Sequence, residues 1–257
     1  MQTVLISAAL LTNSAFAGEC HVDFDAHVKI ANEQVVVALQ DNKQLTLSAN
    51  EAWLDGKKLS LSKEQQTLMD EYYSRVFNIA PQAADIALDA VDLATKGVSM
   101  AFSTLLGEDD QVVQDITGEF SVLRTAVQSQ FYAEDGSVRF DSKSMQDGDF
   151  IDKEFSQRFE KKVESLVEKS MGSIMITIGK QMMFGGDMDA FEKKMDNFGK
   201  DIERQMEAQS DQLEARADQL CYSLQILDDY ETQISSSIPE LAKLDALRVS
   251  YRSDGQK

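Results

Sequence analysis

Residues 187–231 read DMDAFEKKMDNFGKDIERQMEAQSDQLEARADQLCYSLQILDDYE. Apolar side chains recur at Met188, Phe191, Met195, Phe198 and Ile202, and again at Met206, Leu213, Ala217, Leu220, Leu224 and Leu227. Alternating steps of three and four mark one face of an α-helix, so the spacing predicts a single long helix over Asp187–Glu231. Asp187, after Gly185-Gly186, is suited to cap its N-terminus. Asp189 with Lys193 and Asp196 with Lys200 add i,i+4 pairs with the acid first, the better order. Gly199 is the weak point, at about 1 kcal/mol against Ala. Between Ile202 and Leu213 the apolar row drifts and Ser210 takes a place in it. That imperfection suits a helix of an antiparallel bundle better than an uninterrupted coiled coil.

The same helix carries Cys221, one of two cysteines; the other is Cys20. Residues 1–17 have the pattern of a secretory signal, with a short apolar run from Val4 to Leu11 and the small-x-small sequence Ala15-Phe16-Ala17. Cleavage is expected after Ala17. Gly18 and Glu19 separate that point from Cys20, so Cys20 is not placed to carry a lipid, and a soluble exported product is expected. Two cysteines in an exported chain pair, and a bridge closing a loop of some 200 residues stabilises by roughly 5 kcal/mol in the chain-entropy picture. No later run is long and apolar enough to span a bilayer.

The formal charge of −19, from 44 acidic and 25 basic residues, argues against nucleic acid or an anionic membrane surface as the main partner. A hydrophobic content of 43% with only 2 prolines describes a folded, mainly helical chain.

From Cys20 to Ile30 residues alternate, with Val22, Phe24, Ala26 and Val28 on one face and His21, Asp23, Asp25 and His27 on the other. Strands are predicted over Gln34–Leu39 and Lys43–Leu47, and Asp55-Gly56 marks a hairpin between Ala52–Leu54 and Lys57–Leu61. Ser62-Lys63-Glu64-Gln65 fits a capping box opening a helix that Pro81 is expected to end or kink. An Ala-rich row (Ala83, Ala87, Ala90, Ala94, Gly97, Ala101) offers a close helix contact. Further helices are expected over Val113–Phe131, Ile151–Met175 and, after Pro239, through Leu241, Leu244, Leu247 and Tyr251; Asp141–Asp149 reads as a polar connection. The fold class is therefore α+β: a small N-terminal antiparallel sheet (18–61) packed on a mainly helical bundle (62–257) with long C-terminal helices, the two parts forming one unit.

Three chemistries are open. His21, Asp23, Asp25 and His27 combine imidazole and carboxylate on one strand face, which suits Zn, Cu or Ni, although a flat strand needs further ligands to enclose an ion. Met171, Ile174, Met175, Ile178, Met182, Met183 and Phe184 form a Met-rich apolar segment, read either as a buried helix end or as a surface for a partner or apolar client. An envelope hydrolase would need a carboxylate pair, and no spacing singles one out. No phosphate loop or dinucleotide fingerprint occurs, and no cofactor is expected. A non-catalytic binding or scaffold protein using a helical surface fits best.

The order of parts resembles the YggN-like family of uncharacterised exported bacterial proteins. The likeness is carried by an early Cys in a strand (Cys20), the stretch from Trp53-Leu54-Asp55-Gly56 through Gln65-Gln66 to Asp70-Glu71-Tyr72-Tyr73, and a late Cys in a charged helix (Cys221). The resemblance implies a periplasmic protein of a Gram-negative bacterium and brings no site residues with it. If Cys20 and Cys221 pair, thiol titration of the denatured, unreduced mature protein finds no reactive sulfhydryl and finds two after reduction.

Overall fold

A computed structural model describes residues 19–39, 42–143, 151, 153–183 and 188–252. The strands are β1 (Glu19–Phe24), β2 (His27–Ala31), β3 (Gln34–Ala38), β4 (Gln44–Ser48), β5 (Glu51–Leu54), β6 (Lys57–Lys58), β7 (Phe140–Asp141) and β8 (Leu247–Arg252). The helices are α1 (Lys63–Leu106), α2 (Gln111–Phe131), α3 (Lys153–Met183) and α4 (Met188–Ser237). The class is α+β, with an antiparallel sheet ordered β6-β5-β4-β3-β2-β7 and a separate two-stranded ribbon of β1 and β8.

The predicted hairpins form for the expected reason. Asp55 and Gly56 both take positive φ (49° and 73°), the geometry of a type I′ turn. Asn32 and Glu33 do the same between β2 and β3, at φ 51° and 57°. The carbonyl of Glu33 accepts a hydrogen bond from the Tyr73 hydroxyl at 2.8 Å, which fastens this turn to α1. Alternation then aims Val28, Ile30, Val35, Val37, Leu45 and Leu47 into a core with Met69, Tyr72 and Val76 of α1, Ile234 near the end of α4 and Ile238 just after it.

The capping box is present: Gln65 N–H donates to Ser62 Oγ (3.2 Å) and Ser62 N–H to Gln65 Oε1 (2.9 Å). The same Gln65 amide donates to the Ser237 carbonyl at 2.7 Å, so one side chain serves the start of α1 and the end of α4. Salt bridges extend the helix contacts, from Arg216 of α4 to Asp89 of α1 and from Arg124 of α2 to Asp92 of α1.

Four expectations are corrected. The alternating stretch from Cys20 is two strands in two sheets. It breaks at Asp25-Ala26, whose N–H groups both donate to the Ala246 carbonyl (2.9 and 3.2 Å), while the inward alternation continues across the break. Pro81 does not end its helix: α1 continues to Leu106, because Tyr72, Val76, Ala80, Ala84 and Leu88 form an unbroken buried stripe on both sides of it. The Ala-rich row is only partly a contact. Ala83 and Ala87 pack beside Val127 and Phe131 of α2, and Gly97 meets Met206 of α4, but Ala90 and Ala94 are exposed. After Pro239 there is one 3-10 turn (Pro239–Leu241) and then β8 rather than a helix.

In α3 the expected row of four-residue steps precesses around the helix at 3.6 residues per turn. Among its described side chains the buried ones are Leu166 and Ser170, with Phe159 edge-on to Phe120 of α2 at 5.7 Å. In α4 the first described buried side chain is Cys221; the row from Phe198 to Leu220 is at most half-buried.

Gly118 in α2 and Gly199 in α4 have open space where a Cβ would stand. Gly118→Ala and Gly199→Ala each raise stability by about 1 kcal/mol, the helix-propensity difference, in urea unfolding followed by circular dichroism.

Candidate functional site

Where the ribbon, the edge of the sheet and the helices meet, the packing leaves a cavity of about 240 Å³. Val22 and Phe24 of β1, Leu247 of β8, Val28 and Ile30 of β2 and Phe140 of β7 line one side. Tyr72, Val76, Ile79, Ala80 and Ala83 of α1, Phe131 of α2, and Leu220, Leu224, Leu227 and Glu231 of α4 line the other. Two-residue alternation selects the strand side and helical spacing the helix side. Ala80 and Ala83 explain the open volume, since they occupy the stripe of α1 with the smallest side chains where Met69 and Leu88 fill it elsewhere.

The one carboxylate in the lining, Glu231, is 2% exposed and fully engaged. The Tyr72 hydroxyl donates to its Oε1 at 2.6 Å, and the N–H groups of Ala246 and Leu247 donate to its Oε2 at 2.5 and 3.2 Å. Burial pushes the Glu231 carboxyl up to about 7; the three donors pull the other way, and the charge of Asp228 adds to the rise. Burial and the neighbouring Glu231 also raise the Tyr72 phenol well above its usual range. Asp228, one turn earlier, accepts from Val249 N–H at 3.1 Å. These two acids therefore hold β8 in place.

The disulfide stands beside the cavity. Cys20 and Cys221 are joined, with Cα atoms 6.1 Å apart, two residues before Val22 and one after Leu220. Arg248 pairs with Asp25 at 2.7 Å across the ribbon's other end. The ribbon is thus a wall tied to α4 by one covalent bond and three backbone N–H groups.

The strand face His21, Asp23, Asp25 and His27 is divided among different partners. His21 and Asp23 lie 3.4 Å apart in the open, Asp25 faces Arg248, and His27 shares a 2.7 Å hydrogen bond with Asp141 of β7. Among the described residues no three His, Cys, Asp or Glu side chains converge on a metal-sized position. Of the Met-rich segment, Met171 is 59% exposed. The side chains of Ile174, Met175, Ile178, Met182, Met183 and Phe184 lie outside the described residues. A carboxylate-pair mechanism needs two converging carboxylates, and the cavity lining supplies Glu231 alone.

The cysteine count places Cys20 and Cys221 together, whereas Glu231 enters the sequence pattern only as the last residue of the predicted helix. The signal was present: Glu231 falls four residues after Leu227, in register with Leu220 and Leu224, so a carboxylate occupies the apolar face.

The chain belongs to the family described as "Protein of unknown function (DUF2884)", whose model matches residues 20–247. That span starts at the first disulfide cysteine and takes in Tyr72, Cys221 and Glu231. No curated protein matches the chain, and no solved structure does. Among the described residues no helix is long and apolar enough to cross a membrane.

Because the folded chain holds the Glu231 proton more tightly than the unfolded chain, this group's contribution to stability is complete at low pH. It is lost as pH rises from about 4.5 through about 7. The loss is on the order of 3 kcal/mol. Denaturant unfolding across that range shows the decline in the wild type and a flatter profile in Glu231→Gln.

Proposed function

We propose that this chain is an exported, periplasmic, non-catalytic binding protein that holds an apolar small molecule between the β1–β8 ribbon and helices α1 and α4. The observation that carries this reading is the cavity of about 240 Å³ with a wall apolar almost throughout. An apolar cavity of about 150 Å³ already binds benzene. At about 24 cal/mol per Å³, a ligand that fills the space gains on the order of 6 kcal/mol of packing. Glu231 and Tyr72 satisfy each other and the backbone, so they shape the end of the cavity without offering an unused reactive group.

Export is supported by the signal-like residues 1–17, by the resemblance to the YggN-like family, and by a disulfide of the kind that persists in oxidising compartments. A second reading, a partner protein docking on the segment that starts at Met171, is favoured by the exposure of that side chain.

The test is fluorescence titration of the mature, oxidised protein with N-phenyl-1-naphthylamine. The expected result is saturable binding at one site, weakened at least tenfold by Ala83→Phe, which fills the cavity. Binding that is absent in the folded wild type, or equal in a folded Ala83→Phe protein, removes the proposal.

A further inference from the structure

Resting on that reading, we infer that binding in the cavity is linked to a proton: a neutral apolar molecule enters with the Glu231 carboxyl protonated and leaves as that carboxyl ionises. The composition of the wall carries this. Among the residues that line the cavity, Glu231 is the one carboxylate, and none is a Lys, Arg or His. An ionised Glu231 therefore has no cation beside it in the wall. It depends on the donors Tyr72, Ala246 and Leu247, and on the polar medium that water provides on the cavity side. An apolar ligand displaces that water and brings no donor in its place. The cost falls on the charged form, because a neutral carboxyl tolerates an apolar neighbour far better. Ligand and charge thus oppose each other across one wall, and by linkage the ligand strengthens the carboxyl's hold on its proton. The proton comes from bulk solvent and returns there.

The hydrogen bonds accommodate both forms of the carboxyl. A proton on Oε1 leaves Oε2 accepting from Ala246 and Leu247 N–H, at 2.5 and 3.2 Å. The Tyr72 hydroxyl, 2.6 Å from Oε1, both donates and accepts, so it remains a partner. The charged groups around Glu231 are otherwise occupied. On α4, Asp228 holds Val249 N–H, and its negative charge favours the protonated form of Glu231. On α1, burial keeps the Tyr72 phenol neutral, while Arg75 and Glu71 engage the ring and the hydroxyl of Tyr230. On the ribbon, Arg248 is paired with Asp25 and Asp245. Glu240 and Lys243, between α4 and β8, are exposed. On the sheet edge, His27 and Asp141 bond each other, and β2, β7 and α2 present Ile30, Phe140 and Phe131 to the cavity.

Without ligand the Glu231 carboxyl titrates at about 7, and with ligand it titrates higher. Affinity is therefore level below that pH and falls above it, by about tenfold per pH unit until the bound form ionises too. Titration of the mature, disulfide-intact protein with N-phenyl-1-naphthylamine, uncharged throughout, tests this between about pH 5.5 and about pH 8.5. The expected result is at least tenfold weaker binding at the alkaline end, with circular dichroism showing a folded protein at both. Calorimetry at neutral pH in phosphate and in Tris is expected to give different heats of binding, the mark of a proton taken up from the buffer. Equal affinity across the range, tighter binding at the alkaline end, or no proton uptake overturns the linkage while the cavity site stands. In Glu231→Gln the ratio of affinities across the range collapses toward one. Tyr72→Phe removes a donor that favours the charge, so the fall in affinity moves to higher pH. An undiminished ratio in folded Glu231→Gln, or an unmoved fall in folded Tyr72→Phe, overturns the assignment to Glu231. No probe binding at any pH sinks both this inference and the function it rests on.

Discussion

The backbone of Ala246 is where the first and last described strands are held to the helices. Its N–H donates to the buried carboxylate of Glu231, and its carbonyl accepts from Asp25 and Ala26. Through Glu231 the same node reaches the Tyr72 hydroxyl on α1. Two helices, one ribbon and the bend between two sheets thus share a continuous run of hydrogen bonds in a region of low dielectric, where each is strengthened and none is cheaply lost. The disulfide repeats the tie a few residues away with a covalent bond. The cavity exists because this frame holds the ribbon off the helices at a place where α1 offers only Ala80 and Ala83 to fill the space.

Much of this architecture was legible in the residues. Alternation from Val22 to Val28, the Asp55-Gly56 turn and the Ser62–Gln65 box are local signals whose energetics need no distant partner, and the structure uses each. The cysteine pairing was legible because only two cysteines were available. The long C-terminal helix was legible from its spacing, although it runs on to Ser237.

What escaped depends on tertiary context. Leu241, Leu244 and Leu247 step by three, as in a helix, but Leu247, Val249 and Tyr251 also step by two. The choice between those periods is made by the unpaired edge of β1 and the carboxylates of Asp228 and Glu231, all remote or unmarked in the sequence. Pro81 breaks one backbone hydrogen bond, a loss of a few kcal/mol that the buried stripe of α1 outweighs. The strand face of His21, Asp23, Asp25 and His27 looked like one cluster because a bend at Ala26 is invisible to parity. The cavity itself could not be read, since a void is defined by what several elements fail to fill.

The pairing of β1 with β8 joins the first described strand to the last. Contacts of such long sequence separation pay their loop-closure entropy late in folding. A chain made from its N-terminus holds β1 without its partner until Leu247–Arg252 have emerged. Hairpins β2–β3 and β4–β5 have no such wait, because their partners are adjacent. The ribbon therefore closes after those hairpins, and the cavity behind it acquires this wall only once α4 and β8 have both been made.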